Sequence, residues 1–226
     1  MRYCIAVIIA FICSIVAYAA LDIKIAKRVS LFHIVSLEEY KEAQLEPKKI
    51  YIVTAVIFLI SLMTALSILQ SITEPLNIVK MFTALVMLVG SACFDYREKR
   101  IPNIFPLILS VSGIVLLILG HILQQNGAMS YVISSTFATV GCAICLTVAS
   151  ALTKQGIGAG DIKLMSALAI VGGVHMICGV LFFSVVSCSI AALYFIITKK
   201  KSLKETVPFG PFIFLGFVIS VFTSMY

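Results

Sequence analysis

Apolar runs and short polar breaks alternate along the whole chain. The runs cover residues 5–21, 50–72, 78–94, 104–120, 131–152, 162–172 and 177–197, and a last one follows Pro211 to Tyr226. A helix of about 20 residues crosses the hydrocarbon of a bilayer. The pattern therefore predicts an all-α, polytopic membrane protein with about eight transmembrane helices, the sixth one short and ended by Gly172-Gly173. It divides into an N-terminal hairpin, 1–72, with a short polar segment at 22–49, and a membrane-embedded core, 73–226.

The polar breaks differ in character. Asp22 to Lys49 holds six Lys/Arg and five Asp/Glu, and Ser36-Leu37-Glu38-Glu39 has the start signals of a short amphipathic helix. Thr73-Glu74-Pro75-Leu76-Asn77 predicts a tight turn. Asp95 closes the third run and is followed by Arg97-Glu98-Lys99-Arg100 and then Ile101-Pro102-Asn103. Proline holds the residue before it extended and suits the first turn of a helix. Gly156-Ile157-Gly158-Ala159-Gly160-Asp161-Ile162-Lys163 joins the fifth and sixth runs. Lys199-Lys200-Lys201, Lys204 and Pro208-Phe209-Gly210-Pro211 precede the last.

Composition supports the membrane reading. Of 226 residues, 61% are hydrophobic and 12% charged, and the mean hydropathy is +1.12. A soluble globular chain carries about 25% charged residues. The net charge of +7 points to a bilayer partner and not to nucleic acid, because Lys and Arg are retained on the cytoplasmic side of membrane proteins. With 22–49, 95–103, 153–163 and 198–207 placed there, fifteen of the seventeen Lys/Arg are cytoplasmic, leaving Arg2 and Lys80 near the other face. Both termini then lie outside the cytoplasm. Ala17-Tyr18-Ala19 resembles a signal-peptidase site. Cleavage there would leave the six basic residues of 22–49 outside, so the first run is read as a span.

The seven cysteines all lie in apolar runs. Free cysteine behaves there as a small hydrophobe. Cys142-Ala-Ile-Cys145 lacks the polar surroundings of a redox or zinc site. His33, His121 and His175 are scattered and suit surface or interfacial positions. No metal and no cofactor is expected.

The glycine loop carries the chemistry. No Gly-Lys-Ser/Thr follows it, and Asp161 stands where the dinucleotide fingerprint needs its third glycine. An acid would also repel a phosphate. Ionisable groups close to hydrocarbon are costly and mark function. The topology sets Asp95 and Asp161 at the same membrane edge, on the cytoplasmic ends of two helices. Carboxylates held close together do not both ionise readily, so they share a proton. One member then takes a proton from water while the other polarises a peptide carbonyl. The alternative is that each acid only borders its helix, with Asp161 favoured by the helix N-terminus and Asp95 paired to Arg97 or Lys99.

Asp95 to Asn103 with Ile101-Pro102-Asn103, Gly158-Ala-Gly160-Asp161-Ile-Lys163, and Pro208-Phe-Gly210-Pro211 occur in the order seen in type IV prepilin peptidases. Over residues 78–226 the chain resembles that family of GxGD intramembrane aspartic proteases. The resemblance implies that Asp95 and Asp161 are the catalytic pair and that Gly158 and Gly160 position the second acid. Lys163 matches the same motif and would steer or tune Asp161, or serve only as a cytoplasmic lysine. Pro102 and Asn103 would shape a helix start. Pro208, Gly210 and Pro211 would lie near the substrate backbone or initiate the last helix. It further implies prepilin or pseudopilin substrates, cleaved at the cytoplasmic face of the inner membrane of a prokaryote, with no metal required. The rivals are a preflagellin peptidase or presenilin-like enzyme, and a small transporter or assembly protein whose acids relay protons. Many family members also carry a cytoplasmic methyltransferase region with paired C-x-x-C zinc motifs. Residues 22–49 occupy that position here and contain no cysteine. The expectation is a peptidase that does not methylate. Oligomeric state is open.

Overall fold

The computed structural model describes residues 2–21, 47–123, 128–152, 157–198 and 208–223. The chain is an all-helical, polytopic membrane protein. Its helices are α1 (Arg2–Leu21), α2 (Pro47–Ser71), α3 (Pro75–Glu98), α4 (Ile104–Ile122), α5 (Ala128–Leu152), α6 (Ala159–Ile197) and α7 (Gly210–Phe222). Six of these are long and apolar enough to cross a membrane, and α7 is a shorter apolar helix. The amphipathic segment expected around Ser36–Glu39 and the lysine run from Lys199 lie outside the described residues.

The expected boundaries shift in two places. Thr73–Asn77 is not a five-residue turn. Glu74 stands at the N-cap of α3 in an extended conformation and Pro75 opens the helix, where the missing N–H of proline leaves no bond unmade. At the other end α3 runs past Asp95 to Glu98 and stops at Lys99, which adopts the left-handed conformation at φ 51°.

The expected sixth and seventh segments form one helix broken at a single residue, Gly173, with φ 69° and ψ −170°. The two arms do not continue in line. Asp161 and Cys188 interact electrostatically, whereas a straight helix would separate them by about 40 Å. Gly216 on α7 packs against Val180 and Ser184 of the second arm, while Gly210, six residues earlier on α7, packs against Asp95. The second arm therefore doubles back toward the membrane edge that holds Asp161. The Val174 amide donates to Ser134 Oγ at 3.1 Å, and the Tyr131 hydroxyl donates to the Val171 carbonyl. Both bonds tie the reversal to α5.

Burial places the core around α3, the first arm of α6 and α7. Leu85, Leu88, Leu164, Leu168, Ile213 and Phe217 are fully buried there. α1 faces this core with Ala6, Ala10, Cys13, Ala17 and Ala20, small residues that let helix backbones approach closely without water to drive them together. Hydroxyls within the helices bond back to carbonyls four residues earlier, as in Thr54 to Ile50, Thr64 to Ile60 and Ser184 to Val180. Such bonds satisfy polar groups that hydrocarbon cannot. Exposed Phe182, Val185, Ile190 and Leu193 on the second arm of α6 present an apolar surface suited to lipid.

Gly173 occupies a backbone region that is nearly closed to other residues, at a cost of about 1–3 kcal/mol. A Cβ there would also sit 2.9 Å from Ser134 Oγ. Gly173→Ala is expected to lower the thermal midpoint of the purified protein by several degrees. An unchanged midpoint would show that the reversal is not held at this residue.

Candidate active site

Asp95 lies in the last full turn of α3 and is only 5% exposed. The helix ends one turn beyond it at the left-handed Lys99, whose amide makes the last helical bond, to the Asp95 carbonyl at 2.8 Å. Arg97 fixes this end to α1, donating to the Ala20 carbonyl at 3.1 Å and approaching Glu98 at 3.4 Å. The Asp95 side chain points to the start of α7. Its Oδ2 accepts the Gly210 amide at 2.6 Å, and the Phe209 amide also faces it.

The Pro208-Phe209-Gly210-Pro211 segment makes this approach possible. Pro211 stands in the first turn of α7, so the helix N-terminus with its exposed amides is aimed at the carboxylate, the arrangement anions favour. A Cβ on Gly210 would come within 2.9 Å of Asp95 Cβ and 3.0 Å of Oδ2. Only glycine fits.

Asp161 is the third residue of α6, with Gly158 at the N-cap in an extended conformation. The Asp161 amide donates to the Gly158 carbonyl at 3.1 Å, and its carboxylate accepts from the Gly158 backbone. The carboxylate thus makes one half of a capping box, an N3 acid reaching back to the N-cap amide, while Gly158 has no side chain to return the bond. Gly160 seats Ile101: a Cβ there would lie 3.1 Å from Ile101 Cβ. The second oxygen, Oδ1, is buried with no hydrogen-bond partner among the described residues. Asp95 and Asp161 interact electrostatically, so carboxylates 66 positions apart share one site.

The other residues named from the sequence gather nearby. Lys163 Nζ donates to Asn103 Oδ1 at 3.1 Å. Asn103 is the N-cap of α4, without a capping side-chain bond. Pro102 supplies its carbonyl to the Phe105 amide at 3.2 Å. Pro208 is half-buried just ahead of Gly210. Two contacts escaped sequence reasoning: the Gly210 amide on Asp95 and the seating of Ile101 on Gly160. The glycines signalled close approach, but no local pattern names the distant partner.

Lys80 was expected near the opposite face. It is 3% exposed, donates to Asn77 Oδ1 at 3.2 Å and lies 4.0 Å from the centre of the Tyr131 ring. Among the described residues no group of three His, Cys, Asp or Glu is arranged to hold a metal ion.

A sequence profile of the type IV leader peptidase family matches residues 81–196. The matched region contains both aspartates. A "Prepilin leader peptidase/N-methyltransferase" of Bacillus subtilis (strain 168) is 33% identical over 75 residues, covering 33% of this chain and 30% of that protein. The chain thus matches less than a third of that relative's length. No solved structure matches. With more than half of its residues fitted by the family profile, the chain belongs to the type IV leader peptidase family.

Proposed function

We propose that the protein is an aspartic endopeptidase that removes the leader from prepilin-like or pseudopilin-like precursors, with Asp95 and Asp161 as its catalytic pair. The observation that carries this reading is the meeting of the two carboxylates at one site, one on backbone amides and the other with a buried oxygen open. The pair shares one proton because two adjacent negative charges in a dry setting repel. The ionised member accepts a proton from an attacking water, and the neutral member donates to the peptide carbonyl oxygen. Bond cleavage returns a proton to the leaving amine and regenerates the pair. No metal takes part in these steps.

The geometry favours a protease over a proton-relaying transporter. Transporter acids sit near the midplane where helices break. Here the break is at Gly173, tied to α5 through Ser134 and Tyr131, while the acids lie in the last and first turns of α3 and α6. A site at helix ends suits a substrate whose scissile bond joins a polar leader to an apolar helix. The Lys/Arg distribution supports a cytoplasmic position for this edge. Residues 73–226 form the peptidase core in this reading, with α1 and α2 as its buttress.

Asp95→Asn and Asp161→Asn should each lower cleavage of a prepilin-like substrate by at least about a thousandfold, in line with loss of a general acid or base, while both proteins still insert. Inverted membrane vesicles should cleave added substrate and right-side-out vesicles should not. Near-normal cleavage by either variant would remove that residue from the pair, and the opposite vesicle result would reverse the topology.

Gly210→Ala probes the amide contact. The added methyl would displace the Asp95 carboxylate, and a misplacement of about 1 Å costs on the order of a hundredfold in rate. Cleavage at the wild-type rate would show that the contact is dispensable.

The polar segment 22–49 has no cysteine for a thiolate zinc site. The protein is therefore expected to leave the new N-terminus unmethylated. Mass spectrometry of processed substrate after incubation with the enzyme and S-adenosylmethionine checks this. A methyl group added only when the enzyme is present would refute it.

A further inference from the structure

Lys163 stands two residues after Asp161, and a lysine so placed invites a direct electrostatic role. Its geometry indicates another. Among the described residues, its ammonium has one polar partner, Asn103 Oδ1, at 3.1 Å. Asn103 lies eight residues beyond Asp95, on the short segment joining α3 to α4. That segment is held at both ends. The Lys99 amide bonds back to the Asp95 carbonyl at 2.8 Å, and the Phe105 and Leu107 amides bond to Pro102 and Asn103 at 3.2 and 3.1 Å. A second contact joins the same two pieces of chain. Ile101 rests on Gly160, where a Cβ would be 3.1 Å from Ile101 Cβ and 3.5 Å from its carbonyl oxygen.

We propose that Lys163 is a positioning residue: through Asn103, and together with the seating of Ile101 on Gly160, it fixes the Asp161 turn against the segment that leaves the Asp95 helix, and so sets the separation of the two carboxylates. The inference rests on the reading of Asp95 and Asp161 as the catalytic pair. It explains why a lysine is used at a point where the carboxylate already has its capping partner in the Gly158 backbone. A long, flexible side chain reaches across to a neighbouring segment, and the neutral amide oxygen accepts without adding a third negative charge beside the pair.

The test compares Lys163→Met, Asn103→Leu, the double variant and Lys163→Arg in the purified full-length protein, using a prepilin-like peptide that spans the leader and the start of its helix. Both positions are exposed, so insertion and monodispersity should match wild type. Each single variant should lower kcat about tenfold with KM little changed, as slight misplacement of reacting groups does. Their pH profiles of kcat should move, because the separation of two carboxylates governs how they share a proton. The double variant should be no worse than the poorer single one, and Lys163→Arg should recover most of the rate. A raised KM for Lys163→Met beside a normal Asn103→Leu would overturn the proposal in favour of charge acting on substrate. Losses that multiply in the double variant would overturn it equally, since the two residues would then act apart. Near-normal cleavage by Asp95→Asn would refute the underlying pair instead, and is read independently of these four proteins.

Discussion

The short bond from the Gly210 amide to Asp95 Oδ2, at 2.6 Å, expresses the constraint on which this structure depends. Two acids are brought together at helix ends although they belong to α3 and α6, helices that share little surface with each other. Each packs far more against third parties: α3 on α1, α4 and α7, and α6 on α4, α5 and α7. The separation of the carboxylates is therefore set by intermediaries. α7 supplies the amide, the α3–α4 segment supplies Ile101 and Asn103, and the Gly173 reversal brings the second arm of α6 back beside α7. A buried carboxylate without donors is costly; the start of α7 meets that demand for Asp95, while Oδ1 of Asp161 stays without a partner among the described residues.

The same economy of polar groups appears at the opposite end of the bundle. Lys80 near the start of α3 bonds to Asn77 and lies over the Tyr131 ring, while the Tyr131 hydroxyl bonds to the Val171 carbonyl of α6. A cation over an aromatic face gains stabilisation that grows as water is excluded. The hydroxyl thus meets α6 two residues before its break at Gly173. The α3 and α6 helices are thus linked through α5 at one end and through α7 and the α3–α4 segment at the other. Two-ended support of this kind limits tilting of one helix relative to the other, which would change the carboxylate spacing more than a local side-chain motion.

Much of the fold was legible because a membrane imposes a coarse and repetitive signal. Runs of apolar residues gave the helices to within a few positions, and Gly172-Gly173 marked the break in α6. The boundaries that shifted did so for local reasons that hydropathy does not contain. Pro75 opens α3 instead of sitting inside a turn, and α3 continues past Asp95 for one turn until the left-handed Lys99 ends it. Asp95, Asp161 and the loop glycines stood out because charge and backbone freedom are conspicuous between apolar runs. The burial of Lys80 carried no local signal, because its partner Tyr131 lies 51 positions away. Distance in sequence hid the Gly210–Asp95 bond in the same way.

Glycine has two separate uses here, and they carry different consequences for how the site is held. At Gly173 it supplies a conformation, and the reversal follows from backbone torsions that other residues resist. At Gly160 and Gly210 it supplies absence, because Ile101 and Asp95 fill the space a Cβ would take. Conformational glycine tolerates a change in its neighbours, since the torsion is its own. Steric glycine does not, because the contact depends equally on the shape of the partner. The carboxylate pair is bounded by glycines of the second kind. Its geometry is therefore fixed by matched surfaces on four chain segments, and a change at any one of them reaches the acids without passing through a hinge.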